Sequence, residues 1–269
     1  MLIFKSINKL VKYVNFKESV GFVPTMGALH AGHISLIKKS KVNCKKTLVS
    51  IFINPSQFNN LKDLTKYPKK LSNDIKILKK LKVDYLLLPK EKDIYPSKTS
   101  KYIKIAKIDK IMCAKFRPGH FEGVLGVINR FLFNIKAKYM YLGEKDYQQL
   151  FLIKKFIKKK FLIKVINCKT LRDNYNLPYS SRNFLLSTGE IRTARVVSMS
   201  LKKLYLSLKK NPNQKYKVKL FLNKIKSQKL KVEYLEIRNK KNLSLKYNKQ
   251  NLKIFIAYYI NDIRLIDNI

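Results

Sequence analysis

Two histidines three residues apart, His30 and His33, sit in the run Pro24-Thr25-Met26-Gly27-Ala28-Leu29-His30-Ala31-Gly32-His33. They are two of only 3 histidines in 269 residues. The apolar run Val20–Val23 before them reads as a buried strand, and Ile34-Ser35-Leu36-Ile37 after them as the first turns of a helix. A strand, a glycine-bearing turn and a helix N-terminus together make a place for an anion, because backbone N–H groups and the helix dipole both favour negative charge there. Imidazoles added to such a place suit the holding and attack of a nucleotide phosphate.

Three further segments offer polar groups. Ser50-Ile51-Phe52-Ile53-Asn54-Pro55-Ser56-Gln57-Phe58 ends a strand-like run in a polar turn, where Asn54 and Gln57 either meet a small polar substrate or simply cap the turn. Gly143-Glu144-Lys145-Asp146 follows another such run and opens a helix. Its lysine is suited to phosphate charge, although the tetrapeptide alone is equally a solvated turn. Ser180-Ser181-Arg182-Asn183 sets two hydroxyls beside a guanidinium able to bind two phosphate oxygens, or is a helix-entry loop with capping serines. The third histidine lies in Arg117-Pro118-Gly119-His120-Phe121-Glu122-Gly123-Val124, which leads into a helix.

The elements that must position these groups alternate. Strands are expected at Val20–Val23, Thr47–Ile53, Asp84–Leu88, Lys138–Leu142 and Ile163–Cys168, with helices at 34–41, 72–81, 122–135 and 146–158 between them. That order predicts βαβ units and a parallel sheet covered on both faces, with ligands at the carboxyl ends of the strands. Beyond about residue 170 the pattern changes. Ser187-Thr188-Gly189-Glu190 is a capping-box sequence opening a helix to about Leu208. After Asn211-Pro212-Asn213 a second helix runs to about Lys226, and strands at 232–237, 254–260 and 262–266 close the chain. The expectation is an α/β protein: a Rossmann-like parallel-sheet domain over 1–170 and a smaller C-terminal α+β lid domain over 171–269.

Composition narrows the class. The formal net charge is +43, yet the basic residues are 51 lysines and 8 arginines spread from end to end. Nucleic-acid readers favour arginine for bidentate contacts, so the charge reads as compositional bias rather than a specific nucleic-acid surface. No apolar run is long enough to span a bilayer, and the start Met1-Leu2-Ile3-Phe4-Lys5 breaks too early for a signal segment. Three widely spaced cysteines outside any CxxC pattern argue against a disulfide framework or a zinc site. A cytoplasmic protein is expected.

In this order and spacing, PTMGALHAGH, SIFINPSQF, RPGHFEGV, LGEKDYQQL and SSRN are similar to the pantoate–β-alanine ligases, or pantothenate synthetases, of the HxGH nucleotidyltransferase superfamily. The resemblance covers about residues 20–190, and Arg264-Leu265-Ile266-Asp267-Asn268 also fits. It implies a Rossmann-like fold and an ATP-dependent condensation of pantoate with β-alanine through a pantoyl adenylate, with Mg²⁺ assisting. It further implies catalytic roles for His33, His30, Lys145 and Arg182, with His33 as proton donor. ATP would be bound by Met26, Gly27, Ala28, Leu29, His30, Ala31, Gly32 and His33, by Gly143, Glu144, Lys145 and Asp146, and by Leu171, Tyr179, Ser180, Ser181 and Arg182. Gln57 and Gln149 would grip pantoate, with Gln57 also near β-alanine, and a homodimer is implied.

Two positions depart from the family pattern. The usual glycine-leucine-alanine run before SSRN is here Asn176-Leu177-Pro178-Tyr179, where asparagine tolerates positive φ but proline lacks an N–H. Asp74 falls where some members place acidic metal contacts, but its neighbour is Asn73, and no metal ligand is assigned. The alternatives are another HxGH adenylyltransferase or a basic nucleic-acid-binding protein.

Overall fold

The computed structural model describes residues 1–96, 103–158, 160–214 and 216–269. By its internal contacts the chain divides into two compact units, Met1–Thr170 and Leu171–Ile269.

In the first unit, neighbouring side chains of one strand, Phe22 and Val23, are both fully buried. A strand points them to opposite faces, so the sheet is covered on both sides. Its strands are β1 (Leu2–Phe4), β2 (Val20–Thr25), β3 (Lys46–Ile51), β4 (Tyr85–Leu87), β5 (Tyr139–Gly143) and β6 (Lys164–Cys168). They lie in the order β1-β4-β3-β2-β5-β6, and every pairing is parallel. Connecting them are α1 (Ile7–Tyr13), α2 (Ala31–Asn43), α3 (Leu61–Lys66), α4 (Leu71–Lys80), α5 (Glu91–Ile94), α6 (Cys113–Phe116), α7 (His120–Asn134) and α8 (Tyr147–Ile157).

On one face, Val23, Val49, Leu86 and Tyr141 of the sheet pack with Leu36 and Ile37 of α2 and Leu78 of α4. On the other, Phe22 meets Phe131 of α7 edge-on, ring centroids 5.6 Å apart. Each such buried side chain contributes roughly 1.5–3 kcal/mol. This is the doubly covered sheet expected from the alternating pattern.

The boundaries differ in instructive ways. Helix α2 begins at Ala31, three residues before the first apolar turn, because His30 caps it. Strand β3 ends at Ile51, which frees Phe52 to Gln57 for a turn. Strand β1 and helix α1 were not anticipated. Three strand residues next to a lysine carry too little pattern to read.

The second unit holds α9 (Thr188–Lys210) and α10 (Tyr216–Ser227) against an antiparallel sheet of β7 (Lys231–Asn239), β8 (Leu252–Ile260) and β9 (Ile263–Asn268). Both bonds of the Ser187/Glu190 capping box form. Val197, Leu201 and Leu204 of α9 and Ile225 of α10 pack on Ile254, Ile256 and Tyr258 of β8.

All three cysteines are buried thiols outside any disulfide. Among the described residues no helix is long and apolar enough to cross a membrane.

Candidate active site

Strand β2 is the point at which chain order reverses across the sheet, with β3 on one side and β5 on the other. In open parallel sheets, ligands bind outside the carboxyl ends of the strands at such a point. Three of the chemically suggestive segments leave the sheet there. The loop Met26–His30 follows β2, Asn54–Gln57 follows β3, and the 3-10 turn Glu144–Asp146 follows Gly143 at the end of β5.

The loop after β2 is tightly tied. Gly27 has φ +79° and Ala28 φ 49°, two successive left-handed residues, of which only glycine takes that conformation without cost. A Cβ on Gly27 would meet Asp74 Oδ2 at 3.0 Å and Ile51 Cγ2 at 3.1 Å. The Gly27 N–H donates to Thr25 Oγ1 at 3.2 Å, and that hydroxyl donates to the Ser50 carbonyl at 2.8 Å. The Ala28 and Leu29 N–H groups donate to Oδ2 and Oδ1 of Asp74, each at 2.8 Å. Asp74 lies in the first turn of α4 and is 1% exposed.

His30 is the N-cap of α2, and its Nδ1 accepts from the Gly32 N–H at 3.1 Å. That bond places the proton of the neutral ring on Nε2. His33 lies one turn on, its ring centroid 4.1 Å from that of His30, and its Nδ1 is buried with no hydrogen-bond partner. Burial pushes the His33 imidazole down to about 4, with Asp146 opposing and Lys145 adding to the effect. Burial, His33 and Lys145 push His30 down to about 2. Both rings are therefore neutral at pH 7, and they offer N–H groups rather than protons to lose. Lys145 pairs with Asp146, Nζ to Oδ1 3.2 Å. Lys145 lowers the proton affinity of both histidines.

Gln57 is buried, and its amide donates to the Met26 sulfur. Two residues whose roles the sequence did not reveal hold its backbone. His120 Nδ1 donates to the Gln57 carbonyl at 2.7 Å, Arg117 reaches the same oxygen at 3.3 Å, and Arg117 also donates to His120 Nε2 at 3.1 Å. Asn54 is a structural residue here. It caps the 3-10 turn Pro55–Gln57, donates to the Gly123 carbonyl at 3.1 Å and accepts from Tyr95 at 2.8 Å. A Cβ on Gly123 would lie 2.4 Å from the Ser56 carbonyl oxygen, so glycine is what lets α7 close on this turn. Gln149 is half-buried on α8, whereas its neighbour Gln148 turns inward to the Ile111 and Asp109 carbonyls.

In the second unit, Leu171 and Tyr179 face each other across a short hairpin, with the Tyr179 N–H on the Leu171 carbonyl at 3.1 Å. Leu171 is exposed, Tyr179 and Arg182 are half-buried, and Ser181 is buried. Ser180 caps the 3-10 turn Ser181–Leu185 through the Arg182 N–H. Arg172 fixes the hairpin: it binds both Asp267 oxygens at 2.9 and 2.8 Å and the Asn268 and Asn176 carbonyls.

Asn176 takes the left-handed conformation, φ 68°, as expected for a residue in the glycine position. Pro178 lies opposite Arg172 in an antiparallel bridge. The neighbouring pairs 171/179 and 173/177 carry the bonds, so an N–H at 178 would point away from the hairpin and proline costs it nothing.

Among the described residues no group of three or more His, Cys, Asp or Glu could hold a metal ion. Asp74, which the family resemblance set near an expected metal contact, accepts a backbone amide at each oxygen. The described residues do not make a Mg²⁺ cage of their own.

The family model for pantoate-β-alanine ligase matches residues 2–269. A pantothenate synthetase of Francisella tularensis subsp. novicida is 43% identical over 263 residues, covering 97% of this chain and 91% of that protein. A crystal structure of a Francisella tularensis pantoate-β-alanine ligase, described as complexed with β-γ ATP and β-alanine, superposes with TM-score 0.87 at 41% identity. It covers 100% of this chain and 97% of that one. Pantothenate synthetase from Thermus thermophilus gives TM-score 0.92 at 28% identity, covering 100% and 99%. Neither a different adenylyltransferase nor a nucleic-acid-binding protein is favoured. The chain belongs to the pantoate–β-alanine ligase family.

Proposed function

We propose that this ligase joins pantoate to β-alanine at the expense of ATP, and that the residues described above divide the work. The pantoate carboxylate attacks the α-phosphate of ATP, forming a pantoyl adenylate and releasing pyrophosphate. The β-alanine amine then attacks the acyl carbon, its proton is lost and AMP departs. A step of this kind needs alignment and fixed charge rather than a protein nucleophile.

The neutral imidazoles of His30 and His33, together with the first-turn amides of α2, donate to phosphate oxygens as charge develops on them. A nucleotide's own charge raises the histidines' proton affinity, so His33 becomes a proton donor only once the triphosphate is seated. Lys145 balances triphosphate charge, and Ser180, Ser181 and Arg182 hold it as well. Leu171 and Tyr179 line the nucleotide, while Gln57 and Gln149 orient pantoate. Residues 171–269 act as a lid that keeps water from the acyl adenylate. Mg²⁺ would arrive with ATP and would offset triphosphate charge, and no side chain of the chain is assigned to it. A cytoplasmic homodimer follows the family pattern.

The observation that carries this reading is the pair of histidine rings in contact at the N-terminus of α2, centroids 4.1 Å apart, both with proton affinity lowered by burial and by Lys145. Purified protein should release AMP only when ATP, pantoate and β-alanine are all present. Replacing His33→Ala should slow pantoate-dependent pyrophosphate release by roughly two to four orders of magnitude. Unchanged turnover in that variant would remove His33 from the chemistry, and a stable dinucleotide product would overturn the ligase assignment.

A further inference from the structure

We infer that Asp74 is a positioning residue for the nucleotide loop, the buried brace that holds the Ala28 and Leu29 peptides, rather than a metal ligand. The inference rests on the ATP-dependent reading above. Both carboxylate oxygens are already engaged, each with a backbone N–H at 2.8 Å, across 46 and 45 residues of sequence. The side chain is 1% exposed, so an ion could reach it only by breaking those bonds and opening the loop.

The peptides it holds are the unusual ones. Gly27 and Ala28 have successive positive φ, and the N–H groups of Ala28 and Leu29 both point to one carboxylate. Both amides are thus taken from within the protein. The consequence for nucleotide binding is specific: the Ala28 and Leu29 amides are not the ones that meet phosphate, which leaves that task to α2 and the histidines. Such a brace also accounts for retaining a buried acid. Burial holds the Asp74 carboxyl above its usual range despite the two amide bonds and Lys70. The charge is thus kept at a cost, as expected where geometry rather than stability is served.

The test is Asp74→Asn, which leaves one amide facing an NH₂ group. ATP and Mg²⁺ are titrated separately while AMP release is followed. We expect kcat/KM for ATP to fall about 10- to 100-fold. The Mg²⁺ concentration giving half-maximal rate should stay within about twofold of wild type, as should the KM for pantoate. A requirement for about tenfold more Mg²⁺, with the rate restored once it is supplied, would make Asp74 a metal ligand. An unchanged kcat/KM would show that the brace does not matter.

A second measurement does not depend on that variant folding. In wild-type protein stripped of divalent ions, the Ala28 and Leu29 amides should be protected from hydrogen exchange, and MgCl₂ alone should leave that protection unaltered. Protection that develops only with Mg²⁺ overturns the inference. This arm requires no turnover, so a wild-type protein inactive toward pantoate and β-alanine would refute the function without touching the brace.

Discussion

Two loops of this molecule are held by buried aspartates in different ways. The loop after β2 hangs on Asp74, whose oxygens both go to backbone amides. The hairpin of residues 171–179 hangs on Asp267, 4% exposed at the side chain, whose oxygens both go to the guanidinium of Arg172, Oδ1 also accepting the adjacent Asn268 N–H. The first arrangement fixes the φ angles of two particular peptides. The second anchors a whole hairpin to the last strand and lets its turn be shaped locally by Asp173 and Asn176. A carboxylate on amides therefore sets fine geometry, while a carboxylate on arginine sets attachment.

Three measurements test that distinction, from the largest expected effect to the smallest. Asp267→Ala strands the Arg172 guanidinium in a half-buried site. Breaking a buried pair from one side costs about 3–5 kcal/mol, somewhat less where one partner keeps contact with water. Denaturant unfolding should therefore show a loss of about 2–4 kcal/mol. A loss below about 1 kcal/mol would mean that the pair is not the anchor.

Acidification should separate the two units next. His30 and His33 have native values below the unfolded 6.5, so the unfolded chain binds more protons. Their contribution to stability is complete above pH 6.5 and is lost as pH falls, toward about 4 for His33 and on toward about 2 for His30. Asp74 works in the opposite sense, since a raised carboxyl makes the native state bind more protons as pH falls toward the carboxylate range. The second unit contains no histidine. Between pH 6.5 and 4 the first unit should lose amide protection before the second. A His30→Gln/His33→Gln double variant should lose most of that slope, and one that kept it would assign the acid sensitivity elsewhere.

The smallest effect is expected from Pro178→Ala. It restores an N–H that points away from the hairpin, so stability should change by at most about 1 kcal/mol through the unfolded chain, with ATP affinity within about threefold. Tenfold tighter ATP binding would show instead that this edge of the hairpin is a nucleotide contact.

How much of this could be read from the sequence depended on whether a residue acts through its neighbours or across the fold. The sheet was legible because Val20–Val23 and its counterparts are short apolar runs separated by helical periods. The strand, turn and helix start around the two histidines were legible because strand, glycine and histidine are contiguous. The brace of that turn was not, since Asp74 lies in another helix and looks like any acid in a first turn. The same holds for Arg117 and His120. Their motif was visible, but they grip a backbone carbonyl of Gln57, and a carbonyl has no sequence identity. The start of α2 at Ala31 was missed for a related reason, because histidine is not among the usual N-caps.

Gly123 has one more consequence. Because no side chain separates α7 from the Ser56 carbonyl, the helix behind the turn acts as a spacer gauge for Gln57. On the role proposed for Gln57, the width available to pantoate there is set by this close approach at Gly123. Enlarging the specificity of such a site would have to begin with this helix-to-turn distance rather than with the glutamine itself.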